Sequence, residues 1–379
     1  MSRLTRHLWP AVIAVVMVSK VGLAVDPPGN PAPAPQGTPP PTLRIVREAD
    51  VTPAGAQCVR PELVAAGGTL FVAYMELGSP RTNRLLQLDA DLKPVRVFTT
   101  AAGDGEPTDM RWVGAADGTL WCAFETVPGG ERPTGAALHL VSYTVTPEGL
   151  KPGLPERRIA SGAVLVPPWS IPAPGAEITN DPTPFLFGGS VVLGTRRFTQ
   201  AVLPLRSFGP GGEQQSSFEL DLSGVFPDRS LSVYSLVAIE GKPWLLAGAE
   251  TSPRAPRPEA DIYAVPLQPD LRGAAGVPVP LVATPAYETY VCGARTGAGR
   301  LVLVHSVNDF PSGRFEGHVR VFDTAKGFAP IGHALVMVTE GGLQLDGHLS
   351  IELLGDRIFV ASYTGQGRLI VREYALAAP

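Results

Sequence analysis

Nine polar residues fall at, or within two residues of, one recurring position in this chain. They are Arg60, Glu62, Asp109, Asp181, Tyr234, Glu288, Tyr290, Asp346 and His348. Arg60, Asp109, Asp181 and His348 occupy the position itself, where an extended run begins. Brought together, these carboxylates, with an Arg, a His and Tyr hydroxyls, could hold a sugar or a Ca²⁺ ion. Two of the carboxylates could also supply the acid and base of glycoside cleavage. Polar groups that merely line a solvated channel and cap strand starts would leave the same trace. No cofactor and no metal ligand set is expected, with Ca²⁺ the one ion the group could accommodate.

Other chemistry finds no footing. Gly-x-Ser-x-Gly, His-Glu-x-x-His, P-loop and dinucleotide-binding patterns are absent, as are Cys-x-x-Cys and His-x-x-x-His spacings. Cys122 lies within Leu-Trp-Cys-Ala-Phe and reads as a buried core thiol. Cys58 and Cys292 lie near the starts of runs too far apart in the repeat for an ordinary disulfide.

What must position the nine residues is a repeat. Arg60 to Tyr74 reads as a strand, a Gly-Gly turn and a second strand, and related hairpins run Asp109–Phe124, Asp181–Leu193, Tyr234–Ala247, Tyr290–His305 and His348–Tyr363. A second alternating half-motif follows most of them, as in Leu85–Pro94, Leu140–Pro152, Ile262–Leu271 and Val319–Phe328. Two hairpins make a four-stranded blade, and six units predict an all-β, six-bladed β-propeller. The sixth unit ends on a third strand, Leu369–Leu376. The expected fourth is Leu43–Glu48, an N-terminal strand that closes the ring and removes an exposed edge. Gly153–Asn180 is Pro-rich and reads as an elaborated loop, with a hidden extra blade as the alternative.

Composition agrees. The 379 residues include 42 Gly and 40 Pro, with 44% hydrophobic and 17% charged, which excludes a disordered chain and a helix bundle. The net charge of −4 offers no footprint for nucleic acid. Only five of the 31 basic residues are Lys, a bias that reads as a GC-rich bacterial genome rather than an Arg-lined surface. Residues 1–24 carry Arg3 and Arg6, an apolar run Leu8–Val18, and Gly22-Leu23-Ala24. This order marks a signal peptide cleaved near Ala24, so a periplasmic or extracellular protein with no membrane span in the mature chain is expected. Residues 25–42 hold eight Pro and read as a semi-rigid linker, leaving 43–379 as the propeller domain.

Val59-Arg60-Pro61-Glu62-Leu63-Val64, followed by Gly68-Thr69-Leu70-Phe71-Val72-Ala73-Tyr74, resembles the first blade of sialidase-like six-bladed propellers, which carry Arg-Ile-Pro and then a Gly-Thr-Leu strand. Here Arg and Pro are adjacent, the Asp-boxes of that family do not occur, and its Arg triad has no assignable counterpart. The resemblance therefore implies an architecture. Three functions follow as expectations: an exported, monomeric, non-catalytic module binding a glycan, peptide or envelope partner; a glycoside hydrolase or other sugar-active enzyme at the channel mouth; and a Ca²⁺-dependent lactonase-type propeller.

Overall fold

A computed structural model describes residues 42–78, 80–100, 103, 105–128, 135–163, 172–251, 260–284, 287–297, 299–309, 314–337 and 349–377. The expected site positions Asp346 and His348, the expected signal peptide and nearly all of the expected linker lie outside the described residues.

Six antiparallel sheets form, each built outward from an inner strand. Blade 1 runs Cys58–Ala66, Thr69–Glu76, Thr82–Leu88 and Pro94–Thr99. Blade 2 runs Glu106–Gly114, Thr119–Val127, Ala136–Thr146 and Arg157–Gly162, with the short Gly149–Pro152 also paired to its third strand. The interval Gly153–Asn180, expected as a loop, holds the blade 2 outer strand Arg157–Gly162 and the start of the next inner strand at Glu177, and no seventh blade among the described residues. Blades 3 and 4 have inner strands Glu177–Phe187 and Arg229–Ile239, and blade 5 has Tyr287–Gly297. Blade 6 joins Ser350–Leu354, Arg357–Tyr363 and Leu369–Ala377 to the N-terminal strand Thr42–Asp50. Inner strands touch in the order 1-2-3-4-5-6-1, which is a closed ring. This is the six-bladed propeller that the repeat predicts.

Each hairpin forms for the reason its sequence suggests. Gly67-Gly68 and Gly188-Gly189 take positive φ at turns where a Cβ would be strained, and the flanking Val, Leu and Phe alternate into the interfaces between blades. Trp112 and Tyr143 stack with centroids 5.9 Å apart in one such interface. The one helical turn among the described residues is Thr324–Lys326, capped by the Asp323 carboxylate. No helix among the described residues is long and apolar enough to cross a membrane.

The seam is a full antiparallel pairing from Thr42 opposite Ala377 to Asp50 opposite Ile370. Arg372 Nε donates to Glu48 at 2.6 Å, and Arg368 reaches Asp50. Leu369 N donates to Thr52 Oγ1 at 2.8 Å. Arg47 extends the tie to blade 1 by pairing with Asp91 at 2.9 Å. Removing residues 1–50 strips the outer strand and exposes the edge of Leu369–Ala377. The melting temperature should fall by roughly 5–10 °C, with aggregation, whereas removing 1–41 should leave it unchanged. Equal melting of the two shortened chains would show that the seam carries no stability.

Candidate functional site

Five of the six inner strands lose regular register near their first residues. The shifts fall between Val59 and Glu62, Pro107 and Asp109, Ile178 and Thr183, Leu231 and Tyr234, and Glu288 and Tyr290. Pro61, Pro107 and Pro182 explain three of them, because a proline has no N–H for the ladder and so favours a bulge. Arg60 and Asp181, each directly before its proline, sit at φ 54° and 55°. That left-handed conformation is unfavourable for non-Gly residues, and the following proline restricts it further. Two blades thus hold the same strained step where the polar residues stand.

Arg111 organises what these bulges present. Its side chain leaves the blade 2 inner strand and donates from Nη1 to Glu62 of blade 1 at 3.1 Å. The same nitrogen meets the carbonyl of Cys292, in blade 5, at 2.7 Å. Nη2 pairs with Asp181 of blade 3 at 3.5 Å. Since blades 2 and 5 stand opposite each other in the ring, the guanidinium bridges the channel. Burial alone would lower its pKa, but the Glu62, Asp181 and Asp109 carboxylates outweigh that and hold the cation charged.

Above this bridge, Asp109 is almost wholly buried. Met110 N donates to its Oδ1 at 2.9 Å and Asp181 N to its Oδ2 at 2.7 Å. Arg60 Nη1 lies 3.4 Å from Oδ2 and also donates to the Thr108 carbonyl. Burial pushes the Asp109 carboxyl well above the usual range, and the neighbouring Asp181 charge pushes it further. Glu125, beside them, accepts from Thr108 Oγ1 at 2.7 Å and Thr179 Oγ1 at 2.5 Å, and burial raises its pKa too. Below the bridge, Arg295 Nε donates to Glu352 at 3.0 Å, and Glu352 Oε2 accepts the N–H of Ala65 at 3.3 Å.

Of the sequence-predicted residues, Arg60, Glu62, Asp109 and Asp181 meet in one cluster. Tyr290 stands at its surface, 37% exposed and near enough to Asp181 to feel its charge. Tyr234 does not join them. It is buried, its hydroxyl donates to the Thr195 carbonyl at 3.0 Å, and it fills the space left by Gly194, whose Cβ would lie 2.1 Å from that oxygen. Glu288 is also withdrawn: its carboxylate is buried against Thr284, accepting from that residue's hydroxyl and N–H. Arg111, Glu125, Arg295 and Glu352 were not anticipated. Arg111 follows Asp109 by two residues as Glu62 follows Arg60, so the strand period alone would have placed it on the channel side. Among the described residues, no three His, Cys, Asp or Glu side chains gather as a metal ion needs, and all three cysteines are buried and none is in a disulfide.

No protein-family model matches the sequence, and no curated protein sequence does either. Solved structures do resemble it. An α-L-arabinanase of Penicillium chrysogenum, complexed with arabinobiose, superposes with a TM-score of 0.59 at 11% identity, covering 89% of this chain and 99% of its own. A protein of unknown function from Dyadobacter fermentans gives 0.55 at 11% identity, covering 88% and 99%. The Trypanosoma rangeli sialidase, in complex with the inhibitor DANA, gives 0.51 at 10%, covering 84% of this chain and 55% of its own. What they share is the fold. The architecture is that of arabinanase and sialidase propellers.

Two expectations follow. Arg111→Ala leaves Glu62 and Asp181 buried without their cation, which should cost about 3–5 kcal/mol by denaturant titration. Adding Glu62→Gln and Asp181→Asn should recover part of that loss. The second concerns pH. The unfolded chain releases the Asp109 proton near pH 4, but the folded chain keeps it to higher pH. Its stabilising contribution is therefore complete below about pH 4 and lost as pH rises through the raised native value, at up to about 1.4 kcal/mol per pH unit. Asp109→Asn has no proton to release, so it should flatten the fall in melting temperature between pH 4 and 8. An unchanged slope would show that Asp109 is ionised in the native state.

Proposed function

We propose that this propeller acts on carbohydrate at the mouth of its central channel, with glycoside hydrolysis as the chemistry. One observation carries the reading: Asp109 and Asp181, from neighbouring inner strands, stand together, with the Asp181 N–H on Asp109 Oδ2 at 2.7 Å and Arg60 3.4 Å away, and burial and the Asp181 charge raise the proton affinity of Asp109. Paired carboxyls whose environments drive their proton affinities apart are the usual means of supplying acid and base from one site. The Asp109 proton would pass to the glycosidic oxygen as its bond to the sugar carbon breaks. The ionised pair would then take a proton from the water that adds to that carbon, restoring the site. Arg60 and Tyr290 would hold sugar hydroxyls. The shared fold with an arabinanase bound to arabinobiose supports a carbohydrate ligand.

Binding without cleavage is the second reading, favoured by a specific feature. Asp109 is only 1% exposed, and both its oxygens already accept backbone N–H groups. A carboxyl so enclosed braces a bulge as readily as it delivers a proton. The N-terminal signal pattern supports an exported protein on either reading.

The test is a panel of p-nitrophenyl and methylumbelliferyl glycosides, arabinofuranoside and sialoside among them, with matching oligosaccharides. Product should form with the wild-type chain and fall by roughly 10²–10⁴-fold in Asp181→Asn, with little change in melting temperature. Oligosaccharide binding by calorimetry without product would establish the second reading. Neither product nor binding across the panel would overturn both.

A further inference from the structure

Beneath the Arg295–Glu352 pair, at the opposite end of the channel from the mouth, lies a cavity of about 390 Å³. That volume lies within the range of small-molecule sites. Its wall comes from the C-terminal ends of all six inner strands, through Ala65, Trp112, Phe185, Leu236, Arg295 and Leu353 among others. Larger side chains here would have filled it, yet the ring keeps Ala, Gly and half-buried aliphatic residues.

The polar groups at this end decide what would fit. Every inner strand pairs with one neighbour only, so its second edge faces the axis. Higher in the channel, side chains take up such edges: Ser350 Oγ accepts Leu63 N at 2.8 Å, Glu352 takes Ala65 N, and Arg111 takes the Cys292 carbonyl. Below Arg295, Thr296 Oγ1 takes the Ala238 carbonyl at 2.7 Å, whereas Phe185, Leu236 and Leu353 carry no polar group and Trp112 Nε1 has no partner among the described residues. Arg295 itself spends Nε on Glu352 and Nη1 on the Ala294 carbonyl, leaving Nη2 without a partner among the described residues. Glu352 already balances its charge at 3.0 Å. An anionic guest would add an unbalanced charge, and a cation would face the guanidinium.

We propose that this cavity is a second binding site, for a neutral small molecule with an apolar one- or two-ring body and a hydrogen-bond acceptor directed at Arg295. The apolar body would lie against Phe185, Leu236 and Leu353, and the polar edge would meet Arg295 and the Trp112 indole N–H. The site is separate from the mouth, and the proposal stands whether or not the mouth cleaves sugar.

The test compares 2-naphthamide, 2-naphthoate and 2-naphthylmethylammonium by calorimetry and saturation-transfer NMR on the full chain. The amide should bind, and the two ions should bind at least about ten-fold more weakly. Ala65→Trp and Ala238→Trp each place an indole in the cavity wall from a different blade. Either one that folds should weaken the amide at least about ten-fold while leaving any activity on the glycoside panel unchanged. Arg295→Gln, which retains a donor for Glu352, should weaken the amide less. Absence of amide binding, equal binding to folded Trp variants, tighter binding of either ion, or displacement by an oligosaccharide bound at the mouth would each overturn the proposal.

Discussion

The fold depends on a cation held at the centre of a ring of strands. A six-bladed propeller leaves an axial space that six inner strands cannot fill with their own backbones, and their free edges must be satisfied there. Arg111 meets that requirement by reaching from blade 2 to Glu62, Asp181 and the Cys292 carbonyl. Four blades are thereby tied through one guanidinium, whose planar fork of donors suits several acceptors at once. Ser350 with Leu63, and Glu352 with Ala65, repeat the same solution on the blade 1–6 side. The polar residues of the channel are thus structural before they are anything else.

That priority shapes the mouth. Carboxyls recruited to brace the ring are drawn out of water, and desolvation raises the proton affinity of Asp109, Glu62 and Glu125 alike. A carboxyl of raised proton affinity can therefore arise from bracing alone, and ligand chemistry would use what the architecture already requires. The strained steps at Arg60 and Asp181 fit this view. They hold their side chains against local preference, and such strain persists only where the surroundings over-determine it.

The blades were legible because each hairpin carries its own turn and its own two-residue alternation, so Gly67-Gly68 or Gly188-Gly189 can be read without knowledge of the rest. Closure was legible because Leu43–Glu48 looks like an outer strand lacking a blade. The site was legible only in part. Arg60, Asp109 and Asp181 stand at equivalent places in the repeat, and equivalence in sequence became nearness in space. Tyr234 shares that equivalence, but its ring follows the room left by Gly194, a contact between blades that no single repeat encodes. Glu288 likewise follows Thr284, a residue of the preceding loop. Arg111 was overlooked because its role depends on a carbonyl 181 residues away, across the axis.

The ring's seam has a bearing on how the protein is made. Glu48 and Arg372 are 324 residues apart, yet they form one rung of the same sheet. During synthesis the first strand of the domain emerges with its partner still untranslated, and it must wait, unpaired, until nearly the whole chain has followed. Blades 1 to 5 can assemble locally in the meantime, since each takes all its strands from one stretch of sequence. Completion of translation is thus read directly by the fold: a chain that stops short of Leu369 has no seam, and its orphaned edge offers a ready mark for chaperones and proteases to recognise.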